Sequence, residues 1–207
     1  ARHHLSTSDR LMKKSTQLIL ALATASLAAA IYALYATSRF SVEQARYTVL
    51  RQEGPFEIRD YPDLMIARTS LDASGNDSSG NDSAFRRLFR FINRGNVRRN
   101  KISMTAPVFV DGHSEMSFIL PEDIASTPPD ATVDGVTLQK RAAARVAVYR
   151  FGSSLTRENE DQASECLYEW TRKQGITTSG KPTIAVYDSP MIPAPLRRNE
   201  AMLKIEG

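Results

Sequence analysis

Seven cations, Arg86, Arg87, Arg90, Arg94, Arg98, Arg99 and Lys101, fall within 16 residues and run straight into Ile102-Ser103-Met104-Thr105-Ala106-Pro107-Val108. Guanidinium and ammonium groups at this density can rim a site for carboxylates or lipid phosphates, and the same run also suits a solvated helix face. Met104 shares a period-2 apolar set with Ile102, Ala106 and Val108, so this stretch reads as a strand with one face buried and the other polar. Pro107 cannot donate a ladder hydrogen bond, which puts the strand at an edge or ends it in a bulge. A flexible, polarisable Met beside a locally open sheet suits the rim of an apolar pocket, and equally fills core space.

Other reactive side chains are few. His113 is the one histidine beyond the N-terminal segment, and its place after Asp111-Gly112 reads as an exposed turn. Cys166, the single cysteine, lies on an apolar helix face; it excludes an intrachain disulfide framework and a Cys-rich metal site. No Gly-x-Ser-x-Gly, phosphate loop, His-Glu-x-x-His or paired-Cys motif occurs, and one histidine cannot supply both acid and base. No catalytic residue and no metal site is therefore assigned; a hydrolase using Glu57, Glu115 or tyrosines is the enzymatic alternative. The net charge of +4 favours anionic ligands or lipid head groups, and nucleic acid is not implied by it.

Elements must position these groups, and 207 residues at 42% hydrophobic composition suffice for one domain with a sizeable core plus an appendage. Strands are expected at Tyr47–Leu50, Phe56–Tyr61 and Leu64–Leu71, with Gly54-Pro55 as a turn. The tandem Ser74-Gly-Asn-Asp-Ser78, Ser79-Gly-Asn-Asp-Ser83 is expected to be a mobile loop; it lacks the ligand spacing of a calcium loop. Ser83 then caps a helix ending at Gly95, with Phe85, Leu88, Phe89 and Ile92 as its apolar stripe. Phe109-Val110 and Met116–Leu120 form a hairpin, and Pro121–Asp134 is a connector.

The second half repeats this plan. Val136–Lys140 and Arg145–Phe151 read as strands, Thr156–Gln174 as a helix with Ala163, Cys166, Leu167 and Trp170 as its stripe, and Pro182–Tyr187 and Ala201–Ile205 as closing strands. Two copies of strand-strand-helix-strand-strand predict an α+β domain, a pseudo-twofold distorted antiparallel β-barrel with two helices packed outside.

Lys101–Val108 resembles the Lys-Ile-x-Met-Thr-x-Pro-Val stretch of the SOUL family of haem-binding proteins. Further marks are Glu57-Ile58-Arg59-x-Tyr61, Phe85-Arg86-x-Leu88, Arg145-Val-Ala-Val and Pro195-x-Arg197-Arg198-Asn199-Glu200, so the resemblance covers about residues 47–206. It implies a fold of the kind just described and capture of haem or another porphyrin without catalysis. Phe85, Leu88, Phe89, Ile92 and Met104 would then meet the macrocycle, and Arg94, Arg98, Arg99 and Lys101 its propionates. Little or no axial ligation is expected, since His113, Cys166 and Met104 all have structural readings.

Residues 1–14 are polar, and Ser15 to Ser38 then run 24 residues without a charge. As a helix that run is about 36 Å long against a hydrocarbon core of about 30 Å, enough for one transmembrane span. The alternative, a cleaved signal peptide, has a shorter apolar region. Arg10, Lys13 and Lys14 before the span place the N-terminus on the cytoplasmic side and the domain opposite. Residues 39–46 serve as linker and 47–207 as the domain. Ala21, Ala25, Ala29 and Ala33 draw a small-residue strip that suits docking against a neighbouring transmembrane helix, which makes an accessory subunit of a membrane complex the second functional reading.

Overall fold

The computed structural model describes residues 42–71, 77–112 and 114–206, together with the helical positions Gln17, Leu20, Ala23, Thr24 and Ser26. Residues 1–41 and 42–207 are separate compact units. The span expected over residues 15–38 lies outside the described residues except at those five positions, and so does His113. Among the described residues no helix is long and apolar enough to cross a membrane.

The larger unit runs β1 (Glu43–Gln44), β2 (Thr48–Glu53), β3 (Phe56–Tyr61), β4 (Leu64–Ser70), α1 (Asp77–Ile92), β5 (Thr105–Ala106), β6 (Val108–Asp111), β7 (Glu115–Ile119), α2 (Glu122–Ala125), β8 (Thr137–Arg141), β9 (Ala144–Phe151), α3 (Arg157–Lys173), β10 (Thr178–Val186) and β11 (Asn199–Ile205). Among the described residues nine strands form one sheet in the order β2-β3-β9-β11-β10-β6-β7-β4-β8, every pair antiparallel, while β1 pairs in parallel with β5. The expected barrel is thus not closed. β2 and β8 are its free edges; β2 exposes all six side chains, and both edges carry charges (Arg51, Glu53, Lys140, Arg141) of the kind that discourage further strand pairing.

The internal duplication is present in the topology. β4-α1-β6-β7 is laid down as β6-β7-β4, and β9-α3-β10-β11 as β10-β11-β9, the two joined across β6 and β10. Each half lends its leading strand to the other: β3 flanks β9, and β8 flanks β4.

Both helices lie on one face. Ala84, Leu88, Phe91 and Ile92 are buried on α1, and Ala163, Leu167, Trp170 and Thr171 on α3, the same i, i+4, i+7, i+8 stripe. That corrects the expected stripe of α1, which took Phe85 and Phe89 as core. The sheet instead receives Ala84, small enough for close approach, and Phe91, the counterpart of Trp170. On α3, Trp170 stacks on Phe56 at 4.9 Å between ring centroids.

Helix ends differ from expectation at α1 and agree at α3. α1 starts at Asp77, so the second copy of the tandem lies within its first two turns rather than in a loop. At its C-terminus Arg94, not Gly95, takes the left-handed conformation (φ 72°), and the Gly95 N–H reaches back to the Arg90 carbonyl at 2.9 Å. Gly95 is needed because a Cβ there would sit 2.5 Å from that same oxygen. α3 is capped by Thr156, whose hydroxyl accepts from the Asn159 N–H.

The strand expected over 102–108 is broken. Only Thr105–Ala106 pairs, with β1, and β6 begins after Pro107, which has no N–H to donate. Nor is one face polar: residues 105–110 are all buried, and the Thr105 hydroxyl is satisfied by the Ile119 carbonyl.

Candidate functional site

The shifted stripe of α1 leaves two phenylalanines outside the core. Phe85 and Phe89, one turn apart, are 39% and 46% exposed, and their rings stack at 6.1 Å with 13° between planes. Phe85 is also held edge-on by Phe118 of β7 at 5.3 Å. Large exposed aromatics side by side are unusual on a soluble surface and mark a place where an apolar partner can sit.

Helical geometry sets cations along one side of this platform. Arg86 and Arg90 form the adjacent i, i+4 ridge, and both are exposed. Asn93 continues the Phe85–Phe89 ridge by one more turn, and Lys101 is bridged to it. Arg90, Arg94, Arg98, Arg99 and Lys101 are exposed, and no ion pair is recorded for them among the described residues. Arg94 and Arg99 hold φ of 72° and 53°, a region that costs a side-chain-bearing residue about 1 kcal/mol or more and is enriched at functional surfaces.

The other residues read from the sequence separate. Leu88 and Ile92 are taken by the core, with 0% and 5% exposure, and offer no surface to a ligand. Met104 is half-buried and packs against the same core cluster. Cys166 is half-buried on α3, which packs on the other half of the sheet. Among the described residues no group of three His, Cys, Asp or Glu could hold a metal ion. Glu57 is held by Arg59 at 2.7 Å and Glu115 by Arg68 at 3.0 Å.

A second cluster was not foreseen as a unit, although its members are two of the family marks. On the helix-free face Arg59 donates through Nη1 and Nη2 to Glu200 at 2.6 and 3.0 Å, and through Nε to Glu57. Arg198 donates to the same Glu200 at 2.8 Å and to the Tyr47 hydroxyl at 3.0 Å. Arg59 lies over the ring of Tyr47 and Arg198 over that of Tyr187, at 4.2 and 3.7 Å. Arg59 and Glu200 are 1% and 0% exposed. Burial alone would raise the Glu200 pKa, but hydrogen bonds and charge from Arg59 and Arg198 outweigh it and hold the carboxyl below its ordinary value. Burial likewise opposes the charge on Arg59, and Glu200 and Glu57 more than offset it, so its pKa is raised. Tyr61 is pushed up, first by burial. The arrangement clamps β3 to β11 across the intervening β9. The sequence does carry a signal for it: Glu57, Arg59 and Tyr61 alternate with Phe56 and Ile58, so the charges had to face one side of a strand together.

Residues 42–204 match the family described as SOUL heme-binding protein. No curated protein matches the chain. In fold it is similar to the EcmrR C-terminal domain (TM-score 0.55, 12% identity, covering 77% of this chain and 98% of that one). It is also similar to EcmrR in a cryo-EM structure of an EcmrR-DNA complex (0.55, 11%, 99% and 73%). A hydrolase from Listeria innocua is a third (0.51, 10%, 76% and 94%). At these identities the likeness is one of fold.

Proposed function

The chain belongs to the SOUL heme-binding protein family, and we propose that it captures haem or a related porphyrin on the α1 surface, without catalysing a reaction on it. The observation that carries this reading is the exposed Phe85–Phe89 pair beside exposed cations that have no ion pair among the described residues. A porphyrin is a flat apolar ring with two carboxylates, and an aromatic platform with guanidinium and ammonium groups at its margin matches both parts. The fit is to face-on capture: Phe85 and Phe89 cover one side of the ring and exclude water from it, and Arg90, Arg94, Arg98, Arg99 and Lys101 pair with the propionates. Leu88 and Ile92 act from behind, by holding α1 to the sheet. Bound haem would bring a redox-active iron; this chain's part is to stack, pair and shield.

The same reading extends to location. Residues 15–38 anchor the protein as a single span with the domain on the side opposite the cytoplasm, and Ala21, Ala25, Ala29 and Ala33 dock against a neighbouring helix. Replacing Ala25 and Ala29 with Ile keeps the span apolar while pushing helices apart. Loss of co-purifying membrane proteins supports docking; unchanged co-purification reduces the helix to a tether.

The binding reading is tested through its charges. Neutralising Arg94 and Lys101 together weakens binding of a dicarboxylate porphyrin at low salt more than at high salt, because exposed charges are screened within about 10 Å at 0.1 M. Equal loss for the esterified porphyrin would remove charge as the cause.

A further inference from the structure

Among the described residues one face of the sheet carries no helix; it holds a cavity of about 350 Å³, and we propose that this is a second ligand site, for a compact apolar monoanion: one carboxylate on an aliphatic or aromatic body. Strand alternation fixes which face this is. Val108, Val110, Ala147, Ala201 and Leu203 pack with the helices, whereas Phe109, Val146, Val148 and Met202 form a cluster with no helical member. The cavity belongs to that second set and so lies on the other side of the sheet from α1.

Its floor is Phe109, Val146 and Met202, all under 10% exposed, with Leu64 at one wall. The volume is at the lower end of the ~300–1,000 Å³ typical of small-molecule sites, so the site suits a body much smaller than a macrocycle. Its charge is one-sided. Arg141, Lys181 and Lys204 line it and, among the described residues, no carboxylate does. Arg141 lies 4.6 Å over the Phe109 ring, donates to Asp111 at 3.1 Å and to Thr183 at 3.2 Å, and is therefore already balanced. Lys181 and Lys204 are exposed with no recorded partner among the described residues, leaving two positive charges at the mouth of an apolar pocket.

The backbone is shaped to put one of them there. β10 slips register between Ser179 and Thr183, with Gly180 at φ 79°, and the displaced residues Gly180 and Lys181 are part of the lining. Bulges of this sort re-aim side chains and recur beside binding sites. The Lys181 stem runs close over Gly112, where an added Cβ would come within 3.1 Å of it, so the ammonium is guided rather than free to sweep. A carboxylate held between Lys181 and Lys204 would leave its apolar body on Phe109 and Met202.

The test uses the full-length chain in detergent, with octanoate as probe and octylammonium as the charge-reversed control, followed by calorimetry and methyl NMR. Octanoate should bind, shift the Met202, Val146 and Leu64 methyl signals, and weaken with added salt, while octylammonium should not bind. Lys181→Met and Lys204→Met should each weaken octanoate roughly two- to five-fold, the range of partly exposed ion pairs, and the double variant should lose the salt dependence. Saturating octanoate should leave porphyrin binding unchanged. Equal binding of both probes, an unaltered affinity in the double variant, or shifts confined to the region of Phe85 and Phe89 would each overturn the site. Octanoate binding in a chain that takes up no porphyrin would support this site while refuting the α1 reading.

Discussion

Replacing Glu200 with Gln should destabilise the domain by about 3 kcal/mol, the lower end of the 3–5 kcal/mol seen when one partner of a buried ion pair is removed. The lower end is chosen from the geometry. Arg59 keeps Glu57 at 2.7 Å, and Arg198 keeps the Tyr47 hydroxyl and the Tyr187 ring, so neither guanidinium is wholly deserted. The loss remains large because Arg59 is 1% exposed and cannot swing into water. For a chain of this size it corresponds to a fall in Tm of about 6–12 °C, at roughly 2–4 °C per kcal/mol. Urea unfolding followed by far-UV circular dichroism would measure it at unchanged m-value. The double variant Arg59→Met with Glu200→Leu should recover part of the loss, since apolar replacement of a buried pair is often nearly neutral and Arg198 keeps the Tyr47 hydroxyl and the Tyr187 ring. A change below about 1 kcal/mol in Glu200→Gln would refute the view that this cluster clamps β3 to β11.

Because the folded pKa of Glu200 lies below its ordinary value of 4.5, the unfolded chain protonates first on acidification; stability is full above that pH and falls as pH drops toward the folded pKa. The slope of unfolding free energy between about pH 5 and 3 should accordingly be shallower in Glu200→Gln. Gly95→Ala should cost about 1–3 kcal/mol by overpacking against the Arg90 carbonyl and Val133, and an unchanged Tm would contradict the close approach described. His113→Ala should leave the Soret band of a haem complex in place; its disappearance would mean axial ligation by that histidine.

How far the sequence carried these conclusions depends on which residues are asked about. The order of the main strands and the two long helices, the duplicated plan and the extent of α3 were legible because periodicity is local. The exchange of β3 and β8 between halves was not, since pairing partners 69 to 93 residues apart leave no periodic trace. Phe85 and Phe89 were expected in the core because Phe85, Leu88, Phe89 and Ile92 form as good a stripe as Ala84, Leu88, Phe91 and Ile92; the choice between them is made by how closely the helix approaches the sheet. The cations of the α1 rim were visible as a run, and their left-handed positions at Arg94 and Arg99 were not. Arg59 and Glu200 appeared only as separate marks, 141 positions apart, until the antiparallel β3-β9-β11 ladder brought them together.

The central claim is that a porphyrin is held by the exposed aromatic pair and the cations beside it. Titration of the full-length chain with haemin and with metal-free protoporphyrin, in parallel with Phe85→Ser/Phe89→Ser, tests it most directly. Face-on capture predicts that both compounds bind the wild type with similar affinity, since the iron is not the handle, and that the double variant loses most of that affinity while its unfolding midpoint stays close to wild type, because both rings are largely outside the core. Binding of haemin but not protoporphyrin, or undiminished binding in the double variant, would contradict it.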